Sequence, residues 1–119
     1  MVDALGQRDG ETALRLLRTL LDDGEELLKV FGMIVRQYRL LIQLREYLDS
    51  GQPEWGAASA LDMHDYVVRK LTGQCSRYTL ALLERIYHHL LEVDLSIKTG
   101  EIEPTLALDM LVSRLAGQG

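Results

Sequence analysis

Apolar residues recur along this chain at helical spacing. Over 10–22, Ala13, Leu16, Leu17, Leu20 and Leu21 fall at intervals that gather side chains on one helix face. Asp22, Asp23 and Gly24 end that run. Glu25 and Glu26 then open the next, where the positive end of a helix dipole favours acids. The pattern predicts the longest helix over 25–49. Leu27, Phe31, Ile34, Tyr38, Leu41 and Leu48 make its main stripe, interrupted by Arg45. Leu28, Val35 and Ile42 widen that stripe, and Met33, Leu40, Leu44 and Tyr47 add another. Only Lys29, Gly32, Arg36, Arg39, Gln43 and Glu46 remain as a polar strip. A helix apolar around most of its circumference is buried on several sides, so this one is expected to be the central post.

The rest of the chain reads the same way. Val2 to Leu5 is a short apolar piece ending at Gly6, and Ser50 to Pro53 is a loop. A short Ala-rich helix over 54–61, a tight turn at Asp62-Met63 and a helix over 64–74 follow. A second long helix spans 79–99, with Leu83, Ile86, Tyr87, Leu90, Leu91 and Ile97 on its inner face. Gly100 closes it, as glycine commonly does past a helix end, and Lys98 suits the negative end of its dipole. Pro104 stands at the first position of a last helix whose Leu108, Leu111, Val112 and Leu115 face inward. Gly117-Gln118-Gly119 is expected to fray. No alternating strand pattern occurs, and the connections are short. The expected fold is all-α: a bundle of five to six mostly antiparallel helices, with no sheet.

Composition narrows the function. The chain has 119 residues, 47% of them apolar, which suits one globular domain. Roughly a fifth is leucine, well above ordinary usage. The single cysteine excludes an internal disulfide and a cysteine-based zinc site. No apolar run approaches membrane-spanning length, and Met1-Val2-Asp3 does not begin a signal peptide, so a cytoplasmic, membrane-free protein is expected. A net charge of -5 argues against a dedicated nucleic-acid binder.

Motifs that could carry chemistry are few. No phosphate-cradling glycine loop is present, so the chain alone is not expected to hydrolyse nucleotide. His88 and His89 point about 100° apart on a helix and do not share an ion; with Glu92 they read as solvated side chains. The acids at 22–26 lack the alternating ligand positions of a calcium loop and read as a helix start. Cys75 reads as a small residue at a helix end. Asp94 lies in line with the apolar stripe of its helix. It reads as an ion pair with Lys98, against the alternative of a partly buried acid bonded to an adjacent helix end. No cofactor, metal or catalytic residue is expected. The stretch from Trp55 to Gln74 has the outline of a helix-turn-helix, with Asp65, Tyr66, Arg69, Lys70 and Arg77 on or near its second helix. A stand-alone DNA-binding domain is therefore the alternative reading.

The string Leu61-Asp62-Met63-His64-Asp65-Tyr66-Val67-Val68-Arg69-Lys70-Leu71, then Gln74, Arg77 and Tyr78, resembles the C-terminal domain of bacterial DNA polymerase III delta subunits. Those chains carry Leu-Gly-Val/Leu-His-Pro-Tyr/Phe followed by a Lys-Lys or Arg-Lys pair; Asp65 stands here in place of the proline. Asp3 to Asp9 resembles the stretch leading into that domain. Leu17 to Gly24 and Met33 to Arg39 fit its next two helices, and Leu90 to Gly100 is similar to the turn before its last helix. The resemblance implies a lead-in segment over 1–9, a helical collar domain over 10–116 and a tail over 117–119. It implies a part that is no enzyme by itself, within the DNA polymerase III holoenzyme, a DNA-directed DNA polymerase. In such assemblies one helical domain from each subunit packs into a ring, the collar of the clamp loader. The implied partners are delta-prime and gamma/tau, with primed DNA met only inside the complex and the sliding clamp met through other domains. Trp55, Tyr66, Arg69 and Tyr87 are the candidate interface residues, since aromatics and arginine are enriched at interface centres. The turn Lys98, Thr99, Gly100, Glu101 and Ile102 is the candidate approach to DNA; Glu101 and Glu103 predict a small contribution to affinity.

Overall fold

A computed structural model describes residues 1–24 and 26–116. It contains helices α1 (Val2–Gly6), α2 (Gly10–Asp22), α3 (Leu27–Asp49), α4 (Ala57–Ala60), α5 (Asp65–Cys75), α6 (Leu80–Lys98) and α7 (Pro104–Ala116), with a 3-10 turn over Glu54–Gly56 before α4. Among the described residues there is no strand, and five of the helices run eleven residues or more. The all-α bundle expected from the sequence is the fold. The placement of Glu25 and the fraying expected at 117–119 lie outside the described residues. Glu26 is the residue before α3 rather than part of its first turn, with extended backbone (φ -67, ψ 129).

Helix α3 is the post. Its 23 residues span about 34 Å at 1.5 Å per residue, most of the 42 Å long axis of the molecule. Helices α1, α5, α6 and α7 pack around it, and α2 lies against α1 and α7. Ile34, Tyr38, Leu41 and Leu44 are buried along its length, while all six members of the polar strip are exposed. Arg45, the interruption in the stripe, sits at the bundle edge. Its guanidinium donates to the Cys75 carbonyl at 3.2 Å and to the Asp49 carboxylate at 3.0 Å. It thereby joins the Tyr78 N–H, 3.1 Å away, as a second donor to this carbonyl at the end of α5.

Local chemistry sets the helix starts. Asp9 Oδ1 accepts from the Thr12 N–H at 3.2 Å, Thr79 Oγ1 from the Leu82 N–H at 3.1 Å, and His64 Nδ1 from the Tyr66 N–H at 3.2 Å. Residues 1–9 pack against the rest of the bundle. Helix α1 buries Ala4, Leu5 and Gly6 in the core, and its polar neighbours tie it to α5. The Tyr78 hydroxyl donates to the Leu5 carbonyl at 2.7 Å, and the Arg8 guanidinium donates to the Arg77 carbonyl at 3.3 Å while lying over the Tyr78 ring. These contacts hold Arg8 at a φ of 60, in the left-handed region that non-glycine residues seldom occupy. Beneath them, Gln37 Nε2 donates to Gln74 Oε1, and Gln74 Nε2 donates to Asp3 Oδ1 at 3.1 Å. Among the described residues, no buried side-chain nitrogen or oxygen lacks a partner.

Candidate subunit interface

Trp55 and Arg69 come together. The 3-10 turn is anchored from behind by the Tyr47 hydroxyl, which donates to the Pro53 carbonyl at 2.9 Å. That anchor leaves the Trp55 ring 87% exposed. Asp62, at a φ of 53, reverses the chain between α4 and α5, with the Met63 N–H bonded to the Ala58 carbonyl at 2.9 Å. The two arms enclose an open concavity of about 670 Å³, walled by Glu54, Trp55 and Ala58 on one side and Asp65, Val68 and Arg69 on the other. Tyr66 is also exposed, with the Lys70 ammonium 5.4 Å from its ring centroid. Lys70 in turn lies 3.4 Å from the Asp3 carboxylate.

Tyr87 belongs to a different face. It is half-buried in a groove between α3 and α6 that Arg39, Ile42, Glu46, Glu84 and Leu91 also line. Leu91, placed inward by the sequence pattern, is instead half-exposed. One turn beyond Tyr87, it lines the same groove but leaves about half of its surface in solvent. Together with Leu95 (63% exposed) it makes an apolar pair one turn apart on the surface of α6. Leu106 and Met110 make a second such pair on α7. Sequence reasoning did not select these four residues. Their only signal was i,i+4 spacing, which core and surface stripes share.

The turn after α6 is held by backbone bonds. The Glu101 N–H reaches the Ser96 carbonyl at 2.9 Å and the Gly100 N–H the Ile97 carbonyl at 3.1 Å, with Gly100 at a φ of 74. Thr99 donates its hydroxyl to the Leu95 carbonyl at 2.9 Å, and Lys98 is paired with Asp94 at 2.8 Å. That pair is the ion pair read from the sequence. Glu103 accepts from the Thr105 and Leu106 N–H groups, both at 3.0 Å, and these bonds hold its carboxyl below the usual carboxylate range. Glu101 is exposed and Ile102 half-buried. The turn therefore offers no unneutralised cation.

The remaining candidates are accounted for structurally. His88 lies 3.4 Å from Glu92, and among the described residues no group of three or more His, Cys, Asp or Glu side chains is placed to hold a metal ion. Cys75 is buried against the Leu41 carbonyl, and desolvation pushes its thiol up to about 11, which disfavours the reactive thiolate. Helix α4 is a single turn of four residues, short for the leading helix of a DNA-reading motif.

The molecule is thus a helical bundle that leaves aromatic and aliphatic side chains exposed outside its core. A family model described as the DNA polymerase III delta subunit, C-terminal domain, matches residues 1–115. The chain belongs to that family. It is 25% identical over 115 residues to the DNA polymerase III subunit delta of Bacillus subtilis (strain 168), covering 97% of this chain and 33% of that protein. The solved structure of the Bacillus subtilis DNA clamp loader delta protein is similar with a TM-score of 0.87 at 25% identity, covering 98% of this chain and 34% of the other. The chain therefore spans about a third of the length of these relatives. Nothing among these matches supports the helix-turn-helix alternative.

Proposed function

We propose that this domain is an architectural part of a clamp loader, working in the cytoplasm as a collar element that binds neighbouring subunits, delta-prime and gamma/tau, and carries no reaction of its own. The observation that carries this reading is the match to the delta C-terminal family over residues 1–115. The surface supports it. Once the core is filled, Trp55, Tyr66, Leu91, Leu95, Leu106 and Met110 remain exposed. Large apolar side chains left outside a packed core are the raw material of protein–protein interfaces. Primed DNA is then met only within the assembled complex, and the sliding clamp through domains beyond this one. No helix among the described residues is long and apolar enough to cross a membrane, which suits such a role.

Trp55 is the only tryptophan, so its emission reports directly on the proposed face. Titrating the chain with a tryptophan-free gamma/tau or delta-prime preparation should shift that emission to shorter wavelength as the ring leaves water. Trp55→Phe should weaken association, since a truncated aromatic anchor costs about 1–2 kcal/mol or more at a hot spot. Emission that stays at the solvent-exposed wavelength in a complex proven to have formed would remove Trp55 from the interface.

A further inference from the structure

We propose that Arg85, His89 and Arg114 form a binding site for a phosphate group in the groove between α6 and α7. Arg85 and His89 are four residues apart, one above the other on the same face of α6. Arg114 comes from the last turn of α7. All three line a concavity of about 180 Å³ whose apolar floor is Ile86 and Leu115, both buried. At about 30 Å³ per water, that space suits one tetrahedral oxyanion with some hydration rather than a nucleoside.

The charge arrangement asks for an anion. Arg85 and Arg114 have no ion-pair partner among the described residues, although the chain carries 18 acids. The nearby acid, Glu92, is 3.4 Å from His88. The charged and titratable groups around the His89 ring are Arg85, His88 and Glu92 on its own helix and Arg114 across the groove. Burial first, and then the like charge of Arg114, hold the imidazole below its ordinary range, with Glu92 opposing. Without an anion, these effects favour the uncharged ring. A phosphate seated in this concavity, beside Arg85 and Arg114, stabilises the imidazolium, which then becomes a third charged donor. Arginine forks recognise phosphate oxygens through paired N–H donors, so phosphate fits better than a monovalent halide.

The same chemistry could come from free phosphate or from the backbone of a nucleic acid, and the test separates them. The histidines, His64, His88 and His89, are followed by NMR through a pH titration of the whole chain, with His64 as internal control. Inorganic phosphate, compared with chloride at equal ionic strength, should raise the His89 midpoint by about one unit, a tenfold gain in proton affinity. By reciprocity, phosphate should bind about tenfold tighter to the protonated protein. Arg114→Gln should raise the midpoint without phosphate and abolish the response. Arg85→Gln should weaken the response. Both arginines are exposed, and the His64 signal reports that the variants remain folded. A single-stranded oligothymidylate that reproduces the shift marks backbone phosphates as the source; a response to free phosphate alone marks the small ion. A His89 midpoint unmoved by phosphate, or one that moves equally in Arg114→Gln, overturns the site.

Discussion

Gly6 shows how one residue fixes the approach of two helices. A Cβ there would stand 1.9 Å from Gln74 Oε1 and 2.5 Å from its Cδ. Gln74 cannot simply swing away, because its amide is engaged by Gln37 and Asp3. Gly6→Ala is therefore expected to destabilise by about 1–3 kcal/mol, the range for overfilling a packed interior, measured as a lower midpoint in a urea melt. An unchanged midpoint would mean that α1 does not seat on α5 as described. The sequence did not reveal this junction. Gln37 and Gln74 sit at core positions, yet glutamine at a helical position reads as surface, and nothing local announces a partner 37 residues away. The family resemblance includes Tyr78, but its contact with Leu5 was not legible, since it falls in a break between helices where no periodicity applies. Burial raises its hydroxyl above the ordinary tyrosine range, keeping the proton that bonds the Leu5 carbonyl.

At the scale of elements, periodicity was enough for α2, α3, α5, α6 and α7, because each has a clear apolar stripe and a physical stop. The central role of α3 followed from the width of its apolar surface. Leu41, fully buried at its middle, tests that role. Leu41→Asp buries an unpaired charge and is expected to unfold the domain, at a cost of about 4 kcal/mol or more, seen as loss of the cooperative melt in circular dichroism. Ends were less legible than faces. Glu26 turned out to be extended, and Asp9 and Glu103 emerged as caps only from the geometry. Hydrogen bonds from Thr12 lower the Asp9 carboxyl, and the Thr105 and Leu106 N–H groups lower Glu103. With folded-state values below the unfolded ones, their contribution is complete above the unfolded value, about pH 4 to 5. It is lost as pH falls through the folded-state values. The double variant Asp9→Asn, Glu103→Gln should therefore show a shallower loss of melting temperature on acidification than the parent chain. Equal slopes would count against these caps.

For the whole molecule, the sequence carried the family and the fold but only part of the surface. Trp55 and Arg69 share one concavity, whereas Tyr87 lies in another groove, half-buried between α3 and α6. Residue type selects aromatics and arginine, but only packing decides which of them a neighbouring helix already covers. Leu91 and Leu95 illustrate the converse, since spacing alone cannot separate a leucine in the core from one left outside it. The proposed role of this bundle is to hold other subunits. The most direct measurement is sedimentation velocity of the chain mixed with gamma/tau and delta-prime, without nucleotide, clamp or DNA. The chain is expected to move with the larger subunits in a defined stoichiometric complex. A chain that sediments alone at its own rate, with both other subunits present in excess and the chain shown to be folded, would contradict it.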